Sequence, residues 1–220
     1  MNLLAIDTAT ELASVALLYG NELLHKEQDS QRTHAQFLLP MIDVLMAEAG
    51  ASMSQLDGIV FGCGPGSFTG LRIACSIAKG LAYAHDLDLF PISSLAAITW
   101  GARKQIRKDM PVLAVLDARM HEMYWAYYPQ GQFKAEEQVS AVAAITVLDK
   151  HSLLLAGIGS EEYWADFPET LKAQITTRIE VYPNAAAMIE LMQATSIQAV
   201  SVEEAKPVYV RNQVTYNKNS

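Results

Sequence analysis

The sequence predicts an α/β protein made of two similar halves. Short apolar runs that suit buried strands alternate with longer segments whose apolar residues recur at helical spacing. A strand-like run that ends in aspartate occurs twice, at residues 3–7 and 113–117, half a chain length apart in 220 residues. A second apolar strand and a glycine turn follow each run. Repetition of one unit at half the chain length favours two lobes.

The first half is predicted to contain five strands and three helices. A polar turn separates the first two apolar runs, and Gly20 closes a hairpin into a third strand. Thr33, with Gln36 three residues later, suits a helix start, and apolar residues then recur at helical spacing up to Gly50. The predicted strands are 3–6, 12–19, 22–26, 57–61 and 87–92, and the predicted helices lie within 33–49, 71–84 and 94–103.

The second half shows a weaker pattern of the same kind. Residues 139–148 fit either a helix or a strand, and a strand-like stretch from Lys206 precedes a polar tail. We expect lobes at 1–105 and 106–220, joined near 103–111, with the tail able to dock back on the first lobe. The other predicted elements are strands at 113–117, 123–128 and 153–156 and a helix within 183–194.

Composition indicates a folded protein without a membrane anchor. Hydrophobic residues make up 51% of the chain and charged residues 18%, which excludes a disordered segment. The N-terminus lacks a basic region, and no apolar run approaches the roughly 20 residues of a membrane helix. Cys63 and Cys75 form neither a CxxC pair nor a disulfide framework. We therefore expect a reduced, cytoplasmic setting and no membrane contact.

The net negative charge argues against binding of nucleic acid by this chain alone. Sixteen lysines and arginines against 24 aspartates and glutamates give a net charge of −8. Two small basic islands, at residues 101–110 and 206–220, fit a solvated linker and a plain tail, or phosphate contacts beside a bound partner. Any contact with nucleic acid is expected only beside a partner.

Asp7 and Asp117 are the first candidates for chemistry because each ends a buried strand. Two-lobed sugar kinases, actin and chaperone ATPases hold a metal-bound nucleotide phosphate with carboxylates at such strand ends, in the cleft between the lobes. Alternatively, each aspartate caps the tight turn that follows it with its own side chain. Sequence spacing leaves both functions open.

The loop that begins at Gly62 is the most distinctive segment. Gly64, Gly66 and Ser67 lie between a strand and a helix, where exposed backbone N–H groups are able to cradle phosphate. The lysine of a Walker A sequence is missing. The same glycines would equally allow a sharp turn and close helix packing, with Ser67 or Thr69 capping the helix.

Metal and hydrolase sites are disfavoured. The five histidines include no HxxxH or HExxH pair, and neither cysteine completes a ligand pair. Ser67 lacks the G-x-S-x-G elbow of a serine hydrolase. The sequence therefore predicts no metal ligands and disfavours a serine hydrolase.

Two helices of the first half, near residues 33–49 and 71–84, are more apolar than one core-facing stripe requires. A helix that is apolar around most of its circumference is buried on several sides. Either the lobe itself or another subunit would supply the covering surface.

The segments described so far resemble the bacterial TsaB (YeaZ) family of tRNA threonylcarbamoyladenosine biosynthesis proteins, which are paralogues of the catalytic TsaD subunit. The resemblance spans nearly the whole chain, and its GPGSFTGLR part is highly specific. It implies an α/β, two-lobed actin-like ATPase fold (ASKHA, ribonuclease H-like) with mixed sheets flanked by helices. The matching segments are LLAIDTATELASVAL, QRTHAQFLLPMI, GCGPGSFTGLRIACSIAKGLA, VLDARMHEMYWAYY and KPVYVRNQV.

The resemblance implies a noncatalytic scaffold within a tRNA-modifying complex. A complex of this kind, with a TsaD-like catalytic paralogue and a TsaE-like ATPase, moves threonylcarbamoyl from threonylcarbamoyl-AMP to N6 of the adenosine 3′ of the anticodon. Its substrates are tRNAs that read codons beginning with A. ATP and magnesium would be used by the complex, and this chain would require no cofactor. The alternative is an independent actin-like ATPase or small-molecule kinase, and a glycoprotease-like peptidase ranks last.

The resemblance also implies that helices of the first lobe pair with the matching helices of TsaD. The same apolar surface would form a homodimer when the partner is absent. The residues expected at this surface are Phe37, Leu38, Met41, Ile42, Leu45, Leu71, Ile73, Ala74, Ile77 and Ala78.

Overall fold

The computed structural model describes residues 1–29 and 34–210, and the predicted cap at Thr33 and the tail beyond Val210 lie outside them. In the described residues, ten strands form two five-stranded mixed sheets. The first sheet contains β1 (Leu3–Asp7), β2 (Leu12–Tyr19), β3 (Glu22–Asp29), β4 (Gly58–Gly64) and β5 (Asp88–Ser93). The second contains β6 (Val112–Asp117), β7 (Glu122–Tyr128), β8 (Gln138–Ala141), β9 (Leu153–Ile158) and β10 (Ile175–Glu180).

The two sheets have the same topology. The first has the strand order β3-β2-β1-β4-β5, and the second has the matching order β8-β7-β6-β9-β10. In each sheet the first three strands of the half form an antiparallel meander, and the last two pair in parallel. The predicted α/β fold of two similar lobes with mixed sheets is confirmed.

The helices form a central layer and also pack on the outer face of each sheet. They are α1 (His34–Glu48), α2 (Phe68–His85), α3 (Ser94–Ile106), α4 (Glu169–Lys172) and α5 (Ala185–Ala194). Helices α1 and α2 cover the outer face of the first sheet, whereas α3 contacts both sheets and α5 packs on β1, β2 and β4. The central apolar cluster therefore contains residues of both sheets. No helix in the described ranges is long and apolar enough to cross a membrane.

The chain returns to the first sheet after β10. Helix α5 lies in the predicted second lobe, yet it packs on the first sheet. Residues 200–210, which we call the strap, run from the edge strand β5 to the end of β4: the Val200 N–H donates to the Leu89 carbonyl at 2.8 Å and the Val208 N–H donates to the Cys63 carbonyl at 2.7 Å. The strand-like stretch predicted from Lys206 lies at the end of β4 and does not form a strand in the residues described, up to Val210.

Several element boundaries differ from the predictions for local reasons. Strand β4 continues to Gly64, so the first part of the predicted glycine loop is strand. Helix α2 begins at Phe68 because the Ser67 hydroxyl accepts the Gly70 N–H at 3.3 Å and caps the helix. Strand β10 was not predicted, because its residues are mostly exposed and carry no apolar run. Residues 139–148 begin in β8 and continue as a short 3-10 turn, Val142–Ala144.

Arg103 ties α3 to the second sheet. Its buried guanidinium donates to the carbonyls of Met110, Gln132, Tyr128 and Pro129, at distances from 2.6 to 3.2 Å. Desolvation lowers the pKa of Arg103, and nearby Asp109 opposes that effect. Lys104 pairs with Glu190 of α5. The basic island predicted at 101–110 is therefore smaller than its sequence suggests, because one cation is buried and another is paired.

Replacing Arg103 with alanine is expected to destabilise the chain by about 3–5 kcal/mol, because several carbonyl groups lose their donors inside the protein. Arg103→Lys should recover little of this loss, since one ammonium group does not span the same acceptors. Urea unfolding of both variants measures the effect. Lys108→Ala, at an exposed position five residues on, is the matched control. A loss below 1 kcal/mol for Arg103→Ala would contradict the assigned role.

Candidate functional site

A cleft of about 760 Å³ lies between the two halves, beside the turns that follow β1 and β6. Asp117, Gly66 and Ser67 line this cleft, as the nucleotide hypothesis requires. Asp7 and Gly64 are not among its lining residues. The structure therefore brings three of the five predicted phosphate-site residues together at one surface.

Asp7 is fully buried at the end of β1. Its Oδ1 accepts the Ala9 N–H at 3.1 Å, and its Oδ2 has no hydrogen-bond partner among the described residues. A β-carbon at Gly62 would overlap that Oδ2 atom, so only glycine fits beside the carboxyl group. Burial raises the pKa of Asp7 from 3.8 to about 7, and the Ala9 N–H partly opposes the rise.

Asp117 makes the same turn contact in the second half. Its Oδ1 accepts the Arg119 N–H at 2.7 Å, two residues on, as Asp7 accepts that of Ala9. Its Oδ2 pairs with the Arg119 guanidinium at 3.0 Å. Both aspartates thus act as turn caps, which is the alternative that the sequence left open.

The glycine-rich loop is packed against the turn after β1. The Ser67 N–H donates to the Ala9 carbonyl at 2.7 Å, and Thr8 Oγ1 donates to the Gly70 carbonyl at 2.7 Å. A β-carbon at Gly66 would overlap the Ala9 carbonyl oxygen. These glycines therefore allow two backbone segments to touch, and the Ser67 N–H is not free to bind a phosphate.

The charge of the cleft also disagrees with a nucleotide. Among the described residues, four carboxylates line it, against one cation, Arg119: they are Glu11, Asp117, Glu162 and Glu180. No group of three or more His, Cys, Asp or Glu residues able to hold a metal occurs in the part of the chain that the structure describes. A triphosphate without an accompanying cation would meet net negative charge in this cleft. The negative lining and the engaged Ser67 N–H group therefore disfavour binding of a free nucleotide phosphate in this cleft.

Most of the residues predicted for a partner surface face the core of the first lobe instead. Phe37, Ile73 and Ile77 are half-buried. The other seven are buried, which corrects their assignment to an accessible surface: Leu38, Met41, Ile42, Leu45, Leu71, Ala74 and Ala78.

A different apolar set lies on the outer faces of the same helices. Leu39 and Val44 of α1 are 46% and 44% exposed, and Tyr83 of α2 is 80% exposed. Ser76 and Gly80 lie beside Tyr83 on α2, and a β-carbon at Gly80 would touch nothing within 4 Å. The exposed polar residues Gln36, Asp43 and Glu48 mark the solvent-facing side of α1 in the sequence.

Comparison with known proteins decides the family. A family model described as TsaD, tRNA N6-adenosine threonylcarbamoyltransferase, matches residues 23–218. The tRNA threonylcarbamoyladenosine biosynthesis protein TsaB of Haemophilus influenzae is 37% identical, over 99% of this chain and 97% of its own. The chain belongs to the TsaB (YeaZ) family. TsaB of Escherichia coli is 33% identical over 99% of this chain and 98% of its own.

Solved structures of the YeaZ family share the fold. YeaZ from Pseudomonas aeruginosa superposes with a TM-score of 0.84 at 35% sequence identity, covering 94% of this chain and 99% of that one. The TsaB (YeaZ) assignment and the duplicated mixed sheets together establish the actin-like (ASKHA) fold predicted from the resemblance.

Asp7→Asn is expected to raise stability at neutral and alkaline pH. Because the pKa of Asp7 is about 7 in the folded chain and 3.8 when unfolded, this group stabilises the fold below pH 4 and loses that contribution as the pH rises to 7. The loss amounts to at most about 4 kcal/mol, and asparagine avoids it.

Urea unfolding at pH 5 and pH 8 tests this prediction. The difference in unfolding free energy between Asp7→Asn and the wild-type chain should grow by about 2–3 kcal/mol from pH 5 to pH 8. Asp43→Asn, at an exposed carboxylate on α1, provides the control. An equal difference at both pH values would show that Asp7 titrates normally.

Proposed function

We propose that this chain is the noncatalytic subunit of a cytoplasmic complex that makes threonylcarbamoyladenosine in tRNA. It pairs with a TsaD-like catalytic paralogue and acts with a TsaE-like ATPase. The complex transfers threonylcarbamoyl from threonylcarbamoyl-AMP to N6 of the adenosine 3′ of the anticodon, in tRNAs that read codons beginning with A. This chain meets tRNA only through the complex.

The observation that carries the proposal is the exposed apolar outer face of α1 and α2, formed by Leu39, Val44, Gly80 and Tyr83. Burial of the large apolar side chains in this set against another protein lowers the free energy relative to leaving them in water. Ser76 and Gly80 leave room for a helix to approach α2 closely. A paralogue with the same fold offers matching helices, so paired helices from both chains would cover both surfaces.

The cleft supports a noncatalytic function for the chain alone. Ser67, the hydroxyl that the glycine-rich loop contributes to the lining, caps α2, and no histidine or cysteine lines the cleft among the residues that the structure describes. The peptidase alternative therefore lacks a nucleophile with a base. The negative lining of the cleft, and the packing of the glycine-rich loop against the turn after β1, disfavour the ATPase and kinase alternative for the same chain. We propose that ATP and magnesium serve the complex and that this chain requires no cofactor.

The same helix face would serve a homodimer in the absence of the paralogue. Two copies that bury Val44 and Gly80 against each other leave neither residue available to a third chain. Homodimer and heterodimer would then compete for one surface.

Val44→Asp and Gly80→Glu are each expected to weaken binding to the purified TsaD-like paralogue by at least about tenfold, because each places a charge on an apolar contact. Gly80→Glu is the sharper test: its side chain enters open space and glutamate favours the helix, so the fold should keep its stability. Calorimetric titration measures the affinity, and sedimentation measures the homodimer.

Leu148→Asp is the matched control, since Leu148 is 96% exposed in the second half, away from α1 and α2. It should bind the paralogue as the wild-type chain does. If both helix variants also bind normally, the proposed surface is wrong.

Reconstituted threonylcarbamoyl transfer tests the function itself. The paralogue, the ATPase and tRNA should show at least about tenfold faster transfer with this chain than without it. If the paralogue and the ATPase reach full activity without this chain, the proposed function is wrong. Calorimetry of the single chain with magnesium-ATP addresses the alternative: micromolar binding with turnover would favour the ATPase.

A further inference from the structure

The first turns of α2 and the strap form an exposed group of three side chains, Phe68, Arg72 and Tyr209, which we call the arginine cluster. Arg72 Cζ lies 3.6 Å from the centroid of the Phe68 ring and 6.0 Å from that of Tyr209. The two ring centroids are 5.4 Å apart. Arg72 Nε donates to the Tyr209 hydroxyl at 3.0 Å. Aromatic rings and a hydroxyl group, rather than a carboxylate, thus hold the guanidinium.

Within the described residues, most N–H donors of the Arg72 guanidinium have no hydrogen-bond acceptor. A guanidinium carries five N–H donors, and among the described residues only the Nε–H of Arg72 has an acceptor. Arg103, Arg119 and Arg178 each pair with a carboxylate, whereas Arg72 pairs with none in the described ranges. Its remaining donors have the planar fork geometry that binds a carboxylate through two parallel hydrogen bonds.

The rings beside Arg72 are themselves incompletely covered. Phe68 is 55% exposed, and Tyr209 is 43% exposed. The strap fixes Tyr209 in place, because Val208 bonds the Cys63 carbonyl and Lys79 Nζ donates to the Ala205 carbonyl at 3.1 Å. A stacked arginine between ordered aromatic rings loses little further freedom on binding, so it suits an interface anchor.

The arginine cluster continues the outer face of α2. Arg72, Ser76 and Gly80 follow one another at four-residue spacing, and all three are exposed. Helices α1 and α2 both follow strands that run parallel to β1, so they begin at the same end of the sheet. Phe68, the first residue of α2, also lines the cleft. The cluster therefore lies where the helix face meets the cleft.

We propose that the arginine cluster binds a carboxylate of the TsaD-like partner at the cleft end of the helix face, an inference that rests on the proposed pairing. The partner's carboxylate would accept two hydrogen bonds from Arg72, with apolar atoms against Phe68 and Tyr209. A tRNA phosphate is the less favoured anion, because four carboxylates line the adjoining cleft and would repel a polyanion. A single carboxylate on an otherwise apolar protein surface meets far less repulsion.

Arg72→Met tests the proposal because it keeps an unbranched apolar chain against the rings and removes the donors. Its affinity for the purified TsaD-like paralogue, measured by calorimetry, should fall by about tenfold or more, and the remaining affinity should depend less on salt. Arg178→Met is the matched control: Arg178 also stacks on an aromatic ring, with Cζ 4.1 Å from the Trp164 centroid, but it already pairs with Glu161. That variant should bind within twofold of the wild-type chain.

The outcomes separate this inference from the proposed pairing. If Gly80→Glu abolishes binding while Arg72→Met binds as the wild-type chain does, the carboxylate contact is overturned and the pairing stands. If neither variant changes the affinity, or the wild-type chain does not bind, the pairing itself fails and this inference with it. If Arg72→Met spares paralogue binding and weakens retention of an anticodon stem-loop by the complex, the anion is a phosphate and the inference is wrong.

Discussion

Two helices packed between two sheets determine the geometry of this protein. Helices α3 and α5 share one apolar cluster with strands of both sheets, so the halves have a common core. Two hydrogen bonds fix α5 within it: the Ala185 N–H donates to the buried Ser14 Oγ at 3.0 Å, and Trp100 Nε1 donates to the partly buried Glu190 at 2.9 Å. Because closely packed interiors resist displacement, the width of the cleft is set by this core. Tyr182, which donates to Glu11 at 3.2 Å, adds a bond across the cleft lining itself.

The turns after β1 and β6 share one hydrogen-bond pattern, but their aspartates differ in electrostatic environment. Each half ends its first strand in an aspartate that accepts the N–H two residues on. In the first half the long helix α2 and its loop pack over that turn, so Asp7 is buried and its pKa rises. In the second half the corresponding helix α4 has four residues, so Asp117 remains partly accessible and pairs with Arg119. The packing over each turn thus separates the two aspartates, one buried and one paired with an arginine.

The sequence predicts most of this fold, because apolar periodicity and the repeat at Asp7 and Asp117 report on local structure. It does not predict β10, whose exposed residues carry no pattern, or the burial of Arg103, which depends on carbonyl groups up to 29 residues away. The sequence marks the two aspartates and the glycine loop as candidate site residues. It does not show that the loop packs against the turn after Asp7, because that contact joins segments about 60 residues apart. Leu38 and Leu39 show the limit for the helices: adjacent leucines have equal hydrophobicity, and only the fold buries one and exposes the other.

The distribution of charge separates the cleft from the helix face. Four carboxylates line the cleft, while the outer face of α1 and α2 carries exposed apolar residues among a few polar ones, with Arg72 at its end. A partner carrying a carboxylate is drawn to Arg72 and repelled by the cleft, so the two surfaces together favour one orientation of docking. The apolar residues supply affinity without direction, since burial of Val44 or Tyr83 is indifferent to rotation about the helix pair. Orientation therefore requires a fixed charge at one end, and the strap holds Arg72 there through Tyr209.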